Sequence, residues 1–353
     1  MARLPPLTTS VVGSFPLANT QANMERAFSD QVELGVDFPC YPQLVDMTDQ
    51  FFGPLADANP GRIEKRGSEW FLVEPFDVPA EPIATEYGKF VLDYLRAHPE
   101  ARERVKGVKA CLTGPFTLAS ALRLDDALAE ELGVTPFIFK EPRAVMAQEL
   151  LEKFARVMRD VAEAYTRMGF DVISLDEPTL SLLAGRRAVY KYKPDYVVEV
   201  LDSALEGVGT TSSIHVCGQV PPILRDVLLA TRVDVVDHEF ATEEHNFQVY
   251  SREALEASGK QLALGCVNTK VAKVPGMDDW REYVEGVDAA LALVKRGLER
   301  FGGENLVLKP DCGMGGLLGT FGEEIGYAVA TGKLKALVEA AARAKKEAGL
   351  GGA

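Results

Sequence analysis

A repeating alternation of two patterns is the feature of the sequence that most restricts its fold. Eight short runs, rich in β-branched and other apolar residues, each lead into a polar residue, a glycine or a proline. They are "TSVVGSFP", "GVDFPCYP", "VKACLTGP", "FDVISLDEP", "TSSIHVCG", "VDVVDHEF", "QLALGCVN" and "NLVLKPDCG". Amphipathic stretches such as "PRAVMAQELLEKFARVMRDVAEAYTRMG" lie between them, with Pro near the start and Gly past the end. Alternating strand and helix patterns imply parallel strands joined by crossover helices.

Eight such units in 353 residues predict an α/β fold of the (β/α)8 TIM barrel type. We expect a single catalytic domain over residues 1–353, because no linker-like tract divides the chain. The segment from Phe51 to about Pro82 is the least regular, and we expect it to form an inserted loop region after the second strand. A doubly wound open sheet is the competing fold, but the number of units favours a closed barrel.

Charge and cysteine content restrict the partners and the compartment. The formal net charge of −14 and the pI near 4.9 argue against nucleic acid or an anionic membrane as the main partner. The N-terminal stretch "MARLPPLTTS" has no apolar signal-peptide core, and no apolar run approaches the roughly 20 residues of a membrane span. Five scattered cysteines do not suggest a disulfide framework. The sequence therefore predicts a cytoplasmic location, with free thiols available as metal ligands.

Polar side chains at the ends of three predicted strands indicate a metal site. His215 and Cys217 are two residues apart on one strand, so both face the same side. In the next run Asp237 and Glu239 share a face, and Cys312 follows the last strand, beside a run of glycines. In a barrel the carboxyl ends of the strands meet at one face, where functional groups gather. One imidazole, two thiolates and one carboxylate form a plausible tetrahedral set for Zn²⁺.

Other histidines and cysteines are weaker candidates. Alternation turns His238 away from the barrel mouth, and His245 lies in a polar loop, so we expect surface roles for both. We expect Cys40, Cys111 and Cys266 to be core or wall residues. Of these, Cys40 and Cys266 lie near strand ends and remain reserve candidates for the site.

Six motifs, in order, resemble the catalytic C-terminal barrel of the cobalamin-independent methionine synthase family. They are "VGSFP", "LTGPFT", "LDEP", "HVCG", the glutamate of "DHEF", and "PDCG". The resemblance covers nearly the whole chain and implies a zinc site formed by His215, Cys217, Glu239 and Cys312. It also implies that the thiol of homocysteine joins the zinc while the glutamate is displaced or loosened.

The resemblance further implies residues that hold the amino-acid substrate. These are Ser14 of the "GSFP" motif and Asp176 of "LDEP", with Asp176 also the expected catalytic residue. The family has a glutamate in a "DMVEYFG"-like stretch, which here corresponds to "DMTDQFFG", so Asp49 takes its place with one methylene fewer. Carboxylates at these positions would form charge-assisted hydrogen bonds with the substrate ammonium group. For Asp176 the alternative is an internal network that joins strand ends.

The chain departs from the family where the methyl donor binds. It has no counterpart of the N-terminal barrel of the full-length folate enzyme, and "TGPFTLASALR" lacks the Trp that stacks on the pterin. The family's "YDIHSPR"-like segment carries a His implicated in protonating the donor, whereas this chain has "GCVNTKVAKV". Removing a methyl group from N5 of a folate requires a proton donor, but a corrinoid leaves as stable cobalt(I). These departures predict a methylcorrinoid donor, methylcobalamin or a corrinoid protein, ahead of a methyl-folate.

The predicted activity is methylation of homocysteine to methionine by a zinc-dependent methyltransferase. Only a few per cent of a free thiol with a pKa of about 8.5 is thiolate at neutral pH, and coordination to Zn²⁺ deprotonates it. Coenzyme M-type thiols suit the site less well, because they carry a sulfonate and no ammonium group. The competing hypotheses are a metal-free barrel of the uroporphyrinogen decarboxylase type and a non-catalytic barrel with a closed, structural zinc.

Overall fold

The computed structural model describes residues 3–136 and 138–350 of the chain. Within these ranges nine strands form two sheets. The strands are β1 (Ile63–Arg66), β2 (Glu69–Leu72), β3 (Lys109–Thr113), β4 (Arg123–Leu124), β5 (Val172–Asp176), β6 (Thr211–Val216), β7 (Val235–His238), β8 (Gln261–Gly265) and β9 (Leu306–Lys309).

The larger sheet is parallel and closes into a barrel. Its six strands follow the order β3-β5-β6-β7-β8-β9, with every neighbouring pair parallel. The first two runs of the sequence complete the circle through isolated parallel bridges, which are Thr9–Leu308, Ser10–Phe38 and Cys40–Lys109. The predicted (β/α)8 TIM barrel is therefore confirmed. The first two of its eight strand positions are formed by extended segments that pair only through isolated bridges.

Helices surround the barrel, and some of their ends coincide with signals in the sequence, although the helix after Pro142 begins only at Gln148. The longest of the predicted stretches forms a helix that ends at Gly169, which has a left-handed φ of 91°. The helices are α1 (Gln21–Glu33), α2 (Asp49–Ala58), α3 (Glu86–Ala97), α4 (Pro99–Arg104), α5 (Pro115–Ala121), α6 (Asp126–Glu131), α7 (Gln148–Met168), α8 (Pro178–Leu183), α9 (Pro194–Ala204), α10 (Pro222–Ala230), α11 (Asn246–Val249), α12 (Arg252–Ser258), α13 (Val287–Phe301), α14 (Leu317–Phe321) and α15 (Glu323–Glu347). Across the described ranges, we find no helix with both the length and the apolar character needed to cross a bilayer.

The predicted insertion after the second run is present, but it is ordered by a helix and two strands, so its description as a loop is wrong. It contains α2 and the antiparallel pair β1–β2, and β2 also pairs in parallel with the short β4. The first strand, "IEKR", buries only Ile63, so it shows little of the apolar pattern by which a strand is recognised. Its order depends on pairing with β2, which in turn pairs with a strand some fifty residues further along the chain.

The barrel interior has an apolar base and a charged upper layer. The base is a cluster of six buried side chains, Leu4, Phe38, Val172, Val235, Ala263 and Val307. Above it, Lys109, Asp237 and Lys309 project inward from β3, β7 and β9, all of them buried. The carboxyl ends of the strands, which carry the candidate ligands, lie directly beyond these charges.

Candidate metal and substrate site

Three of the four predicted metal ligands converge at the carboxyl ends of the strands. The Sγ atom of Cys217 lies 3.2 Å from Nε2 of His215 and 3.2 Å from Sγ of Cys312. One ligand atom from each residue lies within 4.8 Å of the other two. Ligand atoms around a tetrahedral zinc, with Zn–S bonds of about 2.3 Å, are about 3.5–3.8 Å apart. The two contacts of Cys217 are therefore about 0.3–0.6 Å shorter than in a tetrahedral zinc site, so small outward shifts of the side chains would admit the metal.

Asp237 orients the imidazole of His215. The two residues face each other in the register of β6 and β7, and Nδ1 of His215 donates to Oδ1 of Asp237 at 2.7 Å. A proton held on Nδ1 leaves the lone pair of Nε2 directed at the cysteine sulfurs, which is the tautomer that a metal requires. The sequence placed Asp237 on the correct face but gave no sign of this contact, which depends on the register of two strands.

Two buried lysines balance the Asp237 carboxylate. Lys309 Nζ lies 2.6 Å from Asp237 and also donates to the carbonyl oxygen of Asp311 at 2.7 Å, while Lys109 Nζ lies 3.7 Å from Asp237. Burial would raise the pKa of Asp237, but the charges of Lys309 and His215 hold it far below the usual range. For His215, burial and Lys309 oppose protonation, yet the Asp237 carboxylate raises the pKa to about 9. The network thus keeps Asp237 ionised behind the imidazole.

The two cysteines share a strongly polar environment. The hydrogen bond from Cys217 lowers the pKa of the Cys312 thiol against the effect of burial, and His215 and Lys309 lower it further. Because Cys217 is then the donor of the pair, this contact together with burial raises the Cys217 pKa. A thiolate on Cys312 is the form that binds a soft or borderline cation.

The fourth predicted ligand, Glu239, lies beside this group but is turned to another partner. Its Oε2 atom accepts from Nζ of Lys270 at 2.7 Å and lies 3.0 Å from the hydroxyl of Thr242. Its Oε1 atom is buried and has no hydrogen-bond partner among the described residues. Burial raises the pKa of Glu239, but the contact with Lys270 outweighs it, so the net shift is downward. The carboxylate is therefore ionised and has one free oxygen.

Ser14 packs against the glycines that follow Cys312. Its hydroxyl oxygen accepts from the backbone N–H of Gly315 at 3.2 Å. A Cβ atom on Gly313 would lie only 2.1 Å from that oxygen, so glycine is what allows the approach. Ser14 also lines a cavity whose other walls include Phe15, Gln43, Asp46, Met47 and Gly315.

Asp176 and Glu177 end β5 as buried carboxyl groups with different partners. Asp176 accepts from the Ser174 hydroxyl at 3.0 Å, and burial raises its pKa to about 6 despite the nearby charge of His215. Glu177 accepts from the backbone N–H groups of Phe116 and Thr117 at 2.9 and 2.8 Å, at the start of α5. Burial raises the Glu177 pKa to about 7. Asp176 thus stands near the metal group, while Glu177 joins the "LDEP" and "LTGP" segments.

Asp49 forms contacts with the insertion. Lys65 Nζ donates to its carboxylate at 2.7 Å and the indole Nε1 of Trp70 donates at 2.6 Å. The cavity beside Ser14 is lined by Asp46 and not by Asp49. A substrate role for Asp49 stays a prediction, and it would require the residue to exchange these partners for an ammonium group.

The remaining histidines and cysteines lie apart from the group. His238 is fully buried, stacks on Tyr250 and lies 2.8 Å from its hydroxyl, so the predicted surface role is wrong. Because His238 points outward from the barrel, it lies under the helical layer, where the hydroxyl of Tyr250 is its hydrogen-bond partner. His245 is exposed, as expected. The other three cysteines are buried, as expected of core or wall residues: Cys40, Cys111 and Cys266.

Comparisons with known proteins identify the family of the chain. Residues 94–343 match the family model described as "Cobalamin-independent synthase, Catalytic domain". A methionine synthase from Methanocaldococcus jannaschii is 27% identical over 95% of this chain and 98% of its own length. One from Methanothermobacter marburgensis is 29% identical over 87% and 85%. A 5-methyltetrahydropteroyltriglutamate–homocysteine methyltransferase from Yersinia pseudotuberculosis is 23% identical over 83% of this chain, but only 35% of its own length is covered.

A solved structure shows the same fold. The B12-independent methionine synthase from Shewanella sp. W3-18-1, in complex with selenomethionine, superposes with a TM-score of 0.68 and 19% identity. The match covers 97% of this chain and 99% of the other.

These findings confirm the predicted family and the predicted activity and overturn the predicted methyl donor. The chain is a methyltransferase of the methionine synthase type, as predicted. The predicted methylcorrinoid donor is wrong, because the matching family is described as cobalamin-independent. The corrinoid protein predicted as a partner gains no support from these comparisons. The absence of the Trp and the His was therefore not sufficient ground for predicting a different class of donor. The family match also displaces the uroporphyrinogen decarboxylase alternative, and the chain belongs to the family of the cobalamin-independent synthase catalytic domain.

Proposed function

We propose that this chain methylates homocysteine to methionine, with a zinc ion held by His215, Cys217 and Cys312 and with Glu239 as an exchangeable fourth ligand. The observation that carries the proposal is the convergence of one imidazole nitrogen and two sulfurs, with 3.2 Å between Cys217 and each of the others. The free, buried Oε1 of Glu239 beside them supports a fourth, carboxylate ligand. Zinc bound there would supply a Lewis acid that keeps the substrate sulfur in its nucleophilic thiolate form.

The protein residues around this group would prepare the site. Asp237 accepts from Nδ1 of His215 and so leaves Nε2 as the nitrogen that would give up its proton and bind the metal, while Lys309 balances the charge of the carboxylate. We assign the substrate ammonium group to Asp176, whose buried carboxyl group would ionise fully once a cation pairs with it. Ser14, held against Gly315, would bind the amino-acid end from the opposite side of the barrel mouth.

We further propose a reduced pterin that carries a methyl group on N5 as the donor. Support comes from the family description and from the printed activity of the Yersinia relative, which names a methyltetrahydropteroyl donor. A cytoplasmic location stays a prediction and agrees with five free cysteines among the described residues.

The test is a parallel measurement of metal content and methionine formation. Purified protein should contain one zinc per chain and form methionine from homocysteine and 5-methyltetrahydropteroyl-triglutamate. Cys312→Ser should lose tight zinc binding and at least about 100-fold in activity, since a neutral hydroxyl is a poor substitute for a thiolate ligand. Cys266→Ala, which alters a buried thiol that donates to the Leu264 carbonyl oxygen, should retain both properties.

Three outcomes would contradict the proposal. The first is activity that is unaffected by zinc removal, and the second is methionine formation only when a methylcorrinoid is supplied. The third is a zinc site that binds the metal but admits no homocysteine sulfur, which would indicate a structural metal.

A further inference from the structure

Glu239 has a partner that competes with any metal for its carboxylate. Lys270 approaches Oε2 to 2.7 Å, so the negative charge of Glu239 is directed at an ammonium group and not at the cysteine sulfurs. The glutamate side chain is fully buried, while that of Lys270 is 54% exposed. A carboxylate that paired only with a zinc ion would not need a lysine at this distance.

The backbones that carry both side chains are fixed. The segment after Glu239 is held by the Asp311 carboxylate, which accepts from the backbone N–H groups of Phe240, Ala241 and Thr242 at 2.7–2.9 Å. A Cβ atom on Gly265 would lie 2.1 Å from Oδ1 of Asp311, so this clamp also depends on a glycine in β8.

The lysine segment is fixed in a similar way. The backbone N–H of Lys270 donates to Oδ1 of Asn268 at 2.7 Å, and the N–H of Asn268 donates to Glu285 at 3.0 Å. Exchange of the carboxylate between Lys270 and the ligand group therefore needs rotation of side chains only, with no movement of the chain.

From this arrangement we propose that Lys270 is a positioning residue that draws Glu239 away from the metal and so leaves the fourth coordination site to the substrate thiol. The inference rests on the proposed zinc site and assigns a specific cause to the exchange of the glutamate. Two positions of the carboxylate follow: in one, Oε1 of Glu239 reaches the metal and the contact of Oε2 with Lys270 is stretched or lost, and in the other, seen here, Lys270 holds the carboxylate. Substrate binding requires the second. A residue that favours the second state must weaken zinc binding and strengthen homocysteine binding.

The experiment measures two binding equilibria with no methyl donor present. Zinc affinity is measured by competition of the metal-free protein with a chromophoric chelator, and homocysteine affinity by calorimetric titration of the zinc-loaded protein. The variants are Lys270→Met, which keeps the aliphatic length but removes the charge, and Glu239→Gln, alone and combined with Lys270→Met. Lys273→Met, which removes an exposed charge from the same segment, is the matched control.

Lys270→Met should bind zinc about fivefold or more tightly, because a charge-assisted hydrogen bond no longer competes for Glu239. Its affinity for homocysteine should fall by a similar factor, because the thiol must then displace a bound carboxylate. Both effects should disappear in the Glu239→Gln background, and Lys273→Met should match the wild type.

Two results would overturn the inference while leaving the proposed function intact. One is wild-type zinc and homocysteine affinities in Lys270→Met. The other is an equal gain in zinc affinity with and without Glu239, which would show that Lys270 acts only as a general positive charge near the cation. A wild-type protein that fails to bind one equivalent of zinc would instead refute the proposed function itself.

Discussion

The sharpest test of the site is removal of the charge behind its imidazole, in the variant Asp237→Asn. Asp237 accepts from His215 at 2.7 Å and pairs with Lys309 at 2.6 Å, and both of its partners are at most 2% exposed. An asparagine can present either its oxygen or its NH₂ group to Nδ1. The second choice would move the imidazole proton to Nε2, the atom that must bind the metal.

The variant should lower two quantities that can be measured independently: the free energy of unfolding and the affinity for zinc. Removing one partner of a buried ion pair leaves Lys309 without its nearest opposite charge, which costs about 3–5 kcal/mol in the free energy of unfolding. Loss of the residue that orients a metal-bound histidine should weaken zinc binding by about 10–100-fold. The first quantity is measured by urea unfolding of the metal-free protein, and the second by competition with a chelator.

Asp234→Asn is the matched control. Asp234 is another buried aspartate of the same run, and it accepts from the backbone N–H and the hydroxyl of Ser212, both at 2.9 Å. Its replacement should lower stability by about 1–3 kcal/mol but leave zinc affinity unchanged. A zinc affinity for Asp237→Asn equal to that of the control would refute the reasoning, because it would show that the carboxylate only balances charge in the core.

Two further predictions concern the surroundings of the site. Burial lowers the pKa of His238 from 6.5 to about 3, so the unfolded chain binds a proton that the folded chain refuses, and stability falls as the pH drops below 6.5. At pH 5 this residue alone should cost about 2 kcal/mol relative to pH 8, and urea unfolding of His238→Gln should lack that part of the pH dependence. Gly313→Ala would place a Cβ atom 2.1 Å from the Ser14 hydroxyl oxygen. It should lower stability by about 1–3 kcal/mol, and Ser14→Ala in the same chain should restore most of the loss in a thermal or urea melt; no recovery would mean that the clash lies elsewhere.

The sequence was informative about the barrel because its signals are local. Each strand shows an apolar run of a few residues, and helix ends such as Gly169 carry their own stop signals. The insertion after the second run has no comparable local pattern. Its strands "IEKR" and "EWFL" are ordered mainly by pairing with each other and with Arg123–Leu124. The prediction failed where pairing between distant segments replaced local pattern.

In the candidate site, too, features set by local spacing were predicted and contacts between distant segments were not. Alternation along a strand was enough to place His215 and Cys217 on one face, and the common strand-end position brought Cys312 to them. Contacts that depend on the register of neighbouring strands could not be predicted from spacing, and these include the hydrogen bond of Asp237 to His215. The ion pair of Glu239 with Lys270 was missed for the same reason, since 31 residues and two loops separate the partners.

The carboxylates of the site differ in how firmly hydrogen bonds hold them, and this difference bears on which ligand can exchange. Asp237 and Asp311 each satisfy several buried donors, so folding has already fixed their positions before any ligand arrives. Glu239 is held less firmly, because Oε2 accepts from the half-exposed Lys270 and lies 3.0 Å from the Thr242 hydroxyl, while Oε1 has no hydrogen-bond partner among the described residues. A ligand that must leave during the reaction cannot be tied into a buried network, since breaking such a network would cost several kcal/mol at each turnover. With an unpaired oxygen and a half-exposed partner, Glu239 is therefore better suited to the proposed exchange than His215, whose imidazole is tied to a buried aspartate.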